Sequence, residues 1–119
     1  MKRAVVIHPD GHVGPAAISE DRDLYRQLGQ LIDGYVTTWP SKVPNITIFC
    51  DEDGLMKLHA RKNDLATDLA QGGDVPVVGI VVIMGRTTSQ GKTYGLTPEQ
   101  ADIFLDPKGE DILNALIGD

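Results

Sequence analysis

Apolar positions change their spacing several times along this chain, and each change marks an element. Residues 3–7 (Arg-Ala-Val-Val-Ile) form a short apolar run closed by the turn sequence Pro9-Asp10-Gly11. They predict a first strand, with a return through residues 12–14. Leu24, Tyr25, Leu28, Leu31 and Ile32 then recur at helical spacing. Ser19 is the expected N-cap of that helix, with Glu20, Asp21 and Asp23 on its first turn and Gly34 in the left-handed position that ends it. Residues 35–39 and 46–50 are rich in β-branched and aromatic side chains and predict strands. Asp51-Glu52-Asp53-Gly54 reads as a tight turn, followed by a returning strand at 55–58.

Asn63 is placed to cap a second helix whose inner face is Leu65, Ala66, Leu69 and Ala70, stopped by Gly72-Gly73. Residues 77–84 are apolar almost throughout and predict a central strand. Thr97-Pro98-Glu99-Gln100 carries a threonine N-cap, a proline at the first helical position and a glutamine two residues on, the pattern of a capping box. Asp106-Pro107 breaks this last helical region, which resumes through Ile117. Short connections favour antiparallel pairing. The expected fold is therefore α+β: a single domain over residues 1–119, with a three- to five-stranded, mostly antiparallel sheet, two main helices and a C-terminal helical segment. Its predicted core is Val5, Ile7, Leu24, Leu28, Leu31, Ile46, Ile48, Leu65, Leu69, Ile80 and Val82.

Composition narrows the setting. The only cysteine, Cys50, lies inside an apolar run and reads as an inert buried thiol. The longest apolar stretch, residues 75–84, is too short to span a bilayer and contains Pro76 and Gly79. The basic N-terminus meets His8, Pro9 and Asp10 after four apolar residues, which is not a leader pattern. A cytoplasmic protein without membrane contact is expected. The net charge is −6, and residues 97–119 hold six acids against Lys108 alone. That balance argues against direct nucleic-acid binding, which needs a basic surface.

Several stretches resemble chemical motifs and depart from them in decisive places. Gly91-Lys92-Thr93 follows an apolar strand, as in a phosphate loop, but position 86 is Arg86 where the first glycine belongs, and the next helix start is Thr97. Residues 86–95 are thus expected to form a mobile or hairpin-tip connection, not an anion cradle. His8, Asp10 and His12 would share a face only on an extended strand, and Pro9-Asp10-Gly11 is a turn. Asp51-Glu52-Asp53-Gly54 places its glycine at the fourth position, where a calcium loop needs it at the sixth. No catalytic residue, metal site or cofactor is indicated. One cluster points to a ligand: Lys57, His59, Arg61 and Lys62 lead into Asn63 at a helix start, where basic side chains hold small anions. Arg61, Lys62, Asn63 and Arg86 are the candidate ligand-binding residues, with Lys92 as an addition if the 86–95 loop folds over them.

Taken together, Pro9-Asp10-Gly11, Leu28…Leu31-Ile32-Asp33-Gly34-Tyr35, Asp51-Glu52-Asp53-Gly54, Asn63 with Ala66-Thr67, Gly79 and the Leu-Thr-Pro-Glu-Gln helix start resemble a small domain of unknown function found in actinobacteria, their phages and mobile elements. That family usually has a glycine where Asp33 stands and a proline where Lys62 stands. The resemblance implies a phage or mobile-element accessory protein with no reaction attached. The expected role is a non-enzymatic binding protein acting on a host protein or complex, self-association included; the alternative is a protein that binds or sequesters a small anionic ligand such as a nucleotide.

Overall fold

The computed structural model describes residues 1–57, 61–72, 75–106 and 112–117. Strands β1 (Lys2–Ile7), β2 (Val13–Ile18), β3 (Val36–Trp39), β4 (Ile46–Asp51) and β5 (Val81–Gly85) form one antiparallel sheet in the order β2-β1-β5-β4-β3. The helices are α1 (Leu24–Ile32), α2 (Asp64–Leu69), α3 (Pro98–Leu105) and α4 (Ile112–Ile117), and a single 3-10 turn spans Gly54–Met56. This is the expected α+β fold with five strands. None of the described helices is long and apolar enough to cross a membrane.

Alternation along the three inner strands explains the layering, because successive side chains of a strand point to opposite faces. On one face Val5, Ile83, Ile48 and Trp39 line up across β1, β5, β4 and β3. This row belongs to a core completed by Ala66 and Leu69 of α2 and by Ala101 and Phe104 of α3, with Ile112, Leu113 and Leu116 of α4 packed at its margin. On the other face Val6, Val82 and Phe49 form the parallel row, covered by Leu28 and Ile32 of α1. Burying each of those two side chains is worth roughly 1.5–3 kcal/mol. Of the predicted core, Val5, Ile7, Leu28, Ile46, Ile48, Leu69 and Val82 are buried, whereas Leu24, Leu31, Leu65 and Ile80 pack at the edges.

Four local expectations are corrected. Ser19 does not cap α1, because residues 13–18 are taken up by pairing with β1. Asp23 is the cap, accepting from the Tyr25 N–H, while Ser19 is clasped by Gln27, which accepts its N–H and donates to its carbonyl. The left-handed residue ending α1 is Asp33, at φ 62°, not Gly34. Gly34 is required for a different reason: a Cβ there would lie 2.6 Å from the Asp51 carboxylate. Residues 77–84 are not one strand, since Gly79 at φ +80° turns the chain and only Val81–Gly85 joins the sheet. After β4 the chain makes the 3-10 turn in place of a returning strand; Leu58, the end of that expected strand, lies outside the described residues.

Asn63 ties these parts together. It is 1% exposed. Its amide donates to the carbonyls of Ile7 (3.0 Å) and Gly79 (2.9 Å), and its side-chain oxygen accepts the Ala66 N–H at the start of α2. Its own N–H donates to Val77, and Thr67 donates back to its carbonyl through both N–H and hydroxyl. One side chain thereby joins the end of β1, the turn before β5 and the N-terminus of α2. Asn63→Ala removes a helix cap and strands two carbonyls without their donor, so it is expected to cost about 3–5 kcal/mol. Asn63→Asp keeps the cap but sets an acceptor against two acceptors, and should be at least as damaging. Urea denaturation checks both; a loss below about 1 kcal/mol for either variant would contradict the role given to Asn63.

Burial, helped by the neighbouring Asp51 charge, pushes the Cys50 thiol from its ordinary 9.0 up to about 11. A thiol whose folded pKa is raised stabilises the fold below its unfolded pKa, and this contribution is lost as pH rises through the folded value. Stability should therefore fall between about pH 9 and pH 11, less steeply in Cys50→Ala. At pH 8 an aromatic disulfide reagent should label Cys50 slowly in the folded protein and quickly in denaturant.

Candidate functional site

The four candidate ligand residues do not form one site. Arg61 and Lys62 are exposed just before α2. Arg61 lies within electrostatic reach of Asp10, and Lys62 approaches Asp64 at 3.6 Å on open surface. Asn63 between them is enclosed, and its amide is already engaged by protein atoms. Gly79, whose N–H donates to the Arg61 carbonyl, precedes β5, whereas Arg86 follows it. The length of that strand, roughly 17 Å at ~3.4 Å per residue, separates Arg86 from the other three. His59 lies outside the described residues.

The calcium-like and histidine-rich turns are also structural. Asp51 accepts the Asp53 N–H at 3.0 Å and pairs with Lys57 at 2.5 Å. Lys57 also donates to the Asp33 carbonyl at the end of α1, and its bond to Asp51 raises its pKa. Asp10 accepts the N–H of His12 at 2.9 Å, which is the main cause of its lowered pKa. The His8 and His12 rings lie 5.6 Å apart at a tilt of 48°. Among the described residues, no group of three or more His, Cys, Asp or Glu is arranged to hold a metal ion.

Around Arg86 the structure does assemble a site. The stretch resembling a phosphate loop is a β-hairpin. Tyr94 donates its N–H to Arg86 and accepts from Gly85, so two residues face one and the strand bulges. Further out, the Thr88 N–H donates to Lys92, the Gly91 N–H donates to Thr88, and the Lys92 N–H donates to the Thr88 hydroxyl. Gly91, at φ +87°, supplies the left-handed residue of this short turn. The N–H groups of Thr88, Gly91 and Lys92 are thus engaged within the hairpin instead of pointing together at a phosphate site. The outer two glycines serve close packing. A Cβ on Gly85 would collide with the Gly95 carbonyl, and one on Gly95 would lie 2.7 Å from the Arg3 nitrogen.

Alternation sorts the side chains of this hairpin. Thr87 and Thr93 share the side toward β4, in a chain of hydroxyls with Thr47 at 2.8 and 2.9 Å. Thr93 is buried, and its carbonyl accepts from the Lys2 amine. Arg86, Lys92 and Tyr94 share the opposite side. The Arg86 guanidinium carbon sits 4.3 Å from the centre of the Tyr94 ring, and the Lys92 amine 4.9 Å from it. Both cations therefore lie within roughly 9 Å of each other, about a Debye length at physiological salt, and neither has an ion-pair partner among the described residues. Beside them opens a cleft of about 440 Å³ lined by Asn45, Gly85, Arg86, Tyr94, Gly95, Thr97 and Gln100. Thr97 and Gln100 are held there by the capping box of α3, as the sequence predicts, and Gln100 reaches on to the Asn45 carbonyl.

Reading the sequence identified Arg86 and Lys92 but not Tyr94, Asn45 or Gln100. The available signal was the spacing 86, 92, 94, which falls on one side only when the turn between them is known. No curated protein matches the chain, and no solved structure matches it. A family model, that of the domain of unknown function DUF3846, matches residues 1–108, and the chain belongs to that family.

Proposed function

We propose that this chain is a non-enzymatic binding protein whose hairpin takes a small anionic ligand, with nucleotide phosphates as the class in view. The observation that carries the reading is the pair Arg86 and Lys92, held against one Tyr94 ring beside an open cleft. Two like charges at this spacing repel, and no carboxylate among the described residues pairs with either. An anion between them removes that repulsion and gains charge-assisted hydrogen bonds from a guanidinium and an ammonium. The ring fixes the direction of both side chains, which reduces the entropy lost on binding. A polymeric nucleic acid fits less well, because the molecule as a whole carries −6. The setting we attach to this reading is that of a phage or mobile-element accessory protein in the host cytoplasm; it rests on the sequence resemblance alone.

Thermal unfolding with inorganic phosphate and with nucleoside mono-, di- and triphosphates tests the reading. A ligand at ~100 times its Kd stabilises by about 2.7 kcal/mol, and the shift should shrink at high salt. The double variant Arg86→Ala/Lys92→Ala should lose the shift. Lys92→Ala alone should leave stability within about 0.5 kcal/mol, as for other exposed sites. Unchanged melting with every one of these anions would refute the proposal.

A further inference from the structure

The two edges of the sheet are treated differently. Along β2 the bond from the His8 N–H to the His12 carbonyl sets the phase of pairing, so Val13, Pro15 and Ala17 turn their backbone groups outward. Pro15 offers no N–H there, and α3 packs close to this strand. That edge is blunted against further pairing. Along β3 the Glu52 N–H donates to the Tyr35 carbonyl. Thr37 and Trp39 consequently face β4, and Val36 and Thr38 turn N–H and C=O outward. None of these four groups has a partner among the described residues. Beyond Trp39 the edge closes, because Lys42 and Gln71 bond across to Leu69 and Pro40.

The surface around this open edge is apolar with an acidic margin. Tyr35 is 75% exposed, Leu55 58% and Met56 86%. Leu55 borders a small cleft of about 50 Å³ together with Thr37, Trp39 and Pro76. Asp33, Glu52 and Asp53 are exposed beside it, whereas Lys57 is already paired with Asp51. From these features we infer that β3 is a docking edge for an extended peptide segment of another protein, one that alternates apolar and basic residues. The segment adds as a sixth strand through the backbone of Val36 and Thr38. It sets its apolar side chains on Leu55 and Trp39, and its Lys or Arg side chains against Asp33, Glu52 and Asp53. A second copy of this chain is the poorer occupant, because it brings −6 of its own to an acidic face.

Trp39, the single tryptophan, reports on this edge directly. A short synthetic peptide alternating Lys and Val should change its fluorescence saturably, and the Glu/Val counterpart should not. Methylating the peptide nitrogens on the bonding side should weaken binding roughly tenfold, as loss of two hydrogen bonds implies, and methylating the other side should leave it unchanged. Thr38→Pro removes an outward N–H and sets the proline ring in the path of the added strand, so it should weaken the response at least tenfold while the fold persists by circular dichroism. Arg86→Ala should bind the peptide as the natural chain does, which separates this surface from the hairpin site. No response to the Lys/Val peptide, or equal responses to both peptides, would overturn the inference. So would a concentration-dependent dimer in sedimentation that Thr38→Pro dissolves, since the occupant would then be a second copy.

Discussion

The carboxamide of Asn63 is the contact on which most of the architecture depends. Three chain segments meet at it: the end of β1, the turn at Gly79 and the start of α2. An amide suits the position because it supplies two donors and one acceptor in a plane, and the site presents two carbonyls and one N–H. Thr67 reinforces it one helical turn on, accepting the Val77 N–H and donating to the Asn63 carbonyl. Being 1% exposed, the amide makes these bonds in low dielectric, where a missing partner is costly.

A second constraint is close approach of backbone and side chain at glycine. Gly34 leaves room for the Asp51 carboxylate, Gly54 for the Val78 side chain, Gly85 for the Gly95 carbonyl and Gly95 for the backbone of Arg3. Gly34, Asp51 and Gly54 all take part in these contacts. Asp51, Gly34 and Lys57 form one junction that binds the end of α1 to the end of β4. Asn63, Ala66, Thr67 and Gly79 form the other. Among the described residues, Arg86 and Tyr94 line the cleft of about 440 Å³, whereas Asp51 of the first junction lines the small one beside Trp39.

Features encoded within a few residues were legible from sequence, and features that need a distant partner were not. Thr97 and Gln100 reveal a capping box because both halves lie within four positions. Of the two core rows Val5, Ile48 and Val82 were legible, whereas Val6, Phe49 and Ile83 were not, because β1, β4 and β5 are apolar on both faces and alternation does not sort them. β2 was mostly missed: Gly14, Pro15, Ala16 and Ala17 have no strand preference of their own, and β1 imposes the conformation on them. Ser19 outweighed Asp23 as a cap for the same reason, since pairing with β1 takes the residues just before it. Uniform apolarity over residues 77–84 concealed the turn at Gly79, where a left-handed glycine lets Asn63 reach the chain. In the candidate site, charge marked Arg86 and Lys92, but the ring between them emerges only once the hairpin closes.

Strand order has a consequence for how the chain is made. β1 with β2, and β3 with β4, are local hairpins that can form as soon as their residues leave the ribosome. β5 comes last of the described strands and joins the two hairpins into one sheet, pairing with β1 on one side and β4 on the other. Until residue 85 is available, both hairpins present a long open edge with apolar residues on each face, the condition under which nascent chains pair wrongly. The segment through Gly95 and Leu96 then lies against Arg3, near the very start of the chain. Closure of the sheet therefore waits on contacts of long sequence separation, which slow folding relative to a chain of local contacts. Between residue 51, where β4 ends, and residue 85, where β5 ends, a nascent chain carries two half-sheets whose apolar faces must be kept apart from other chains.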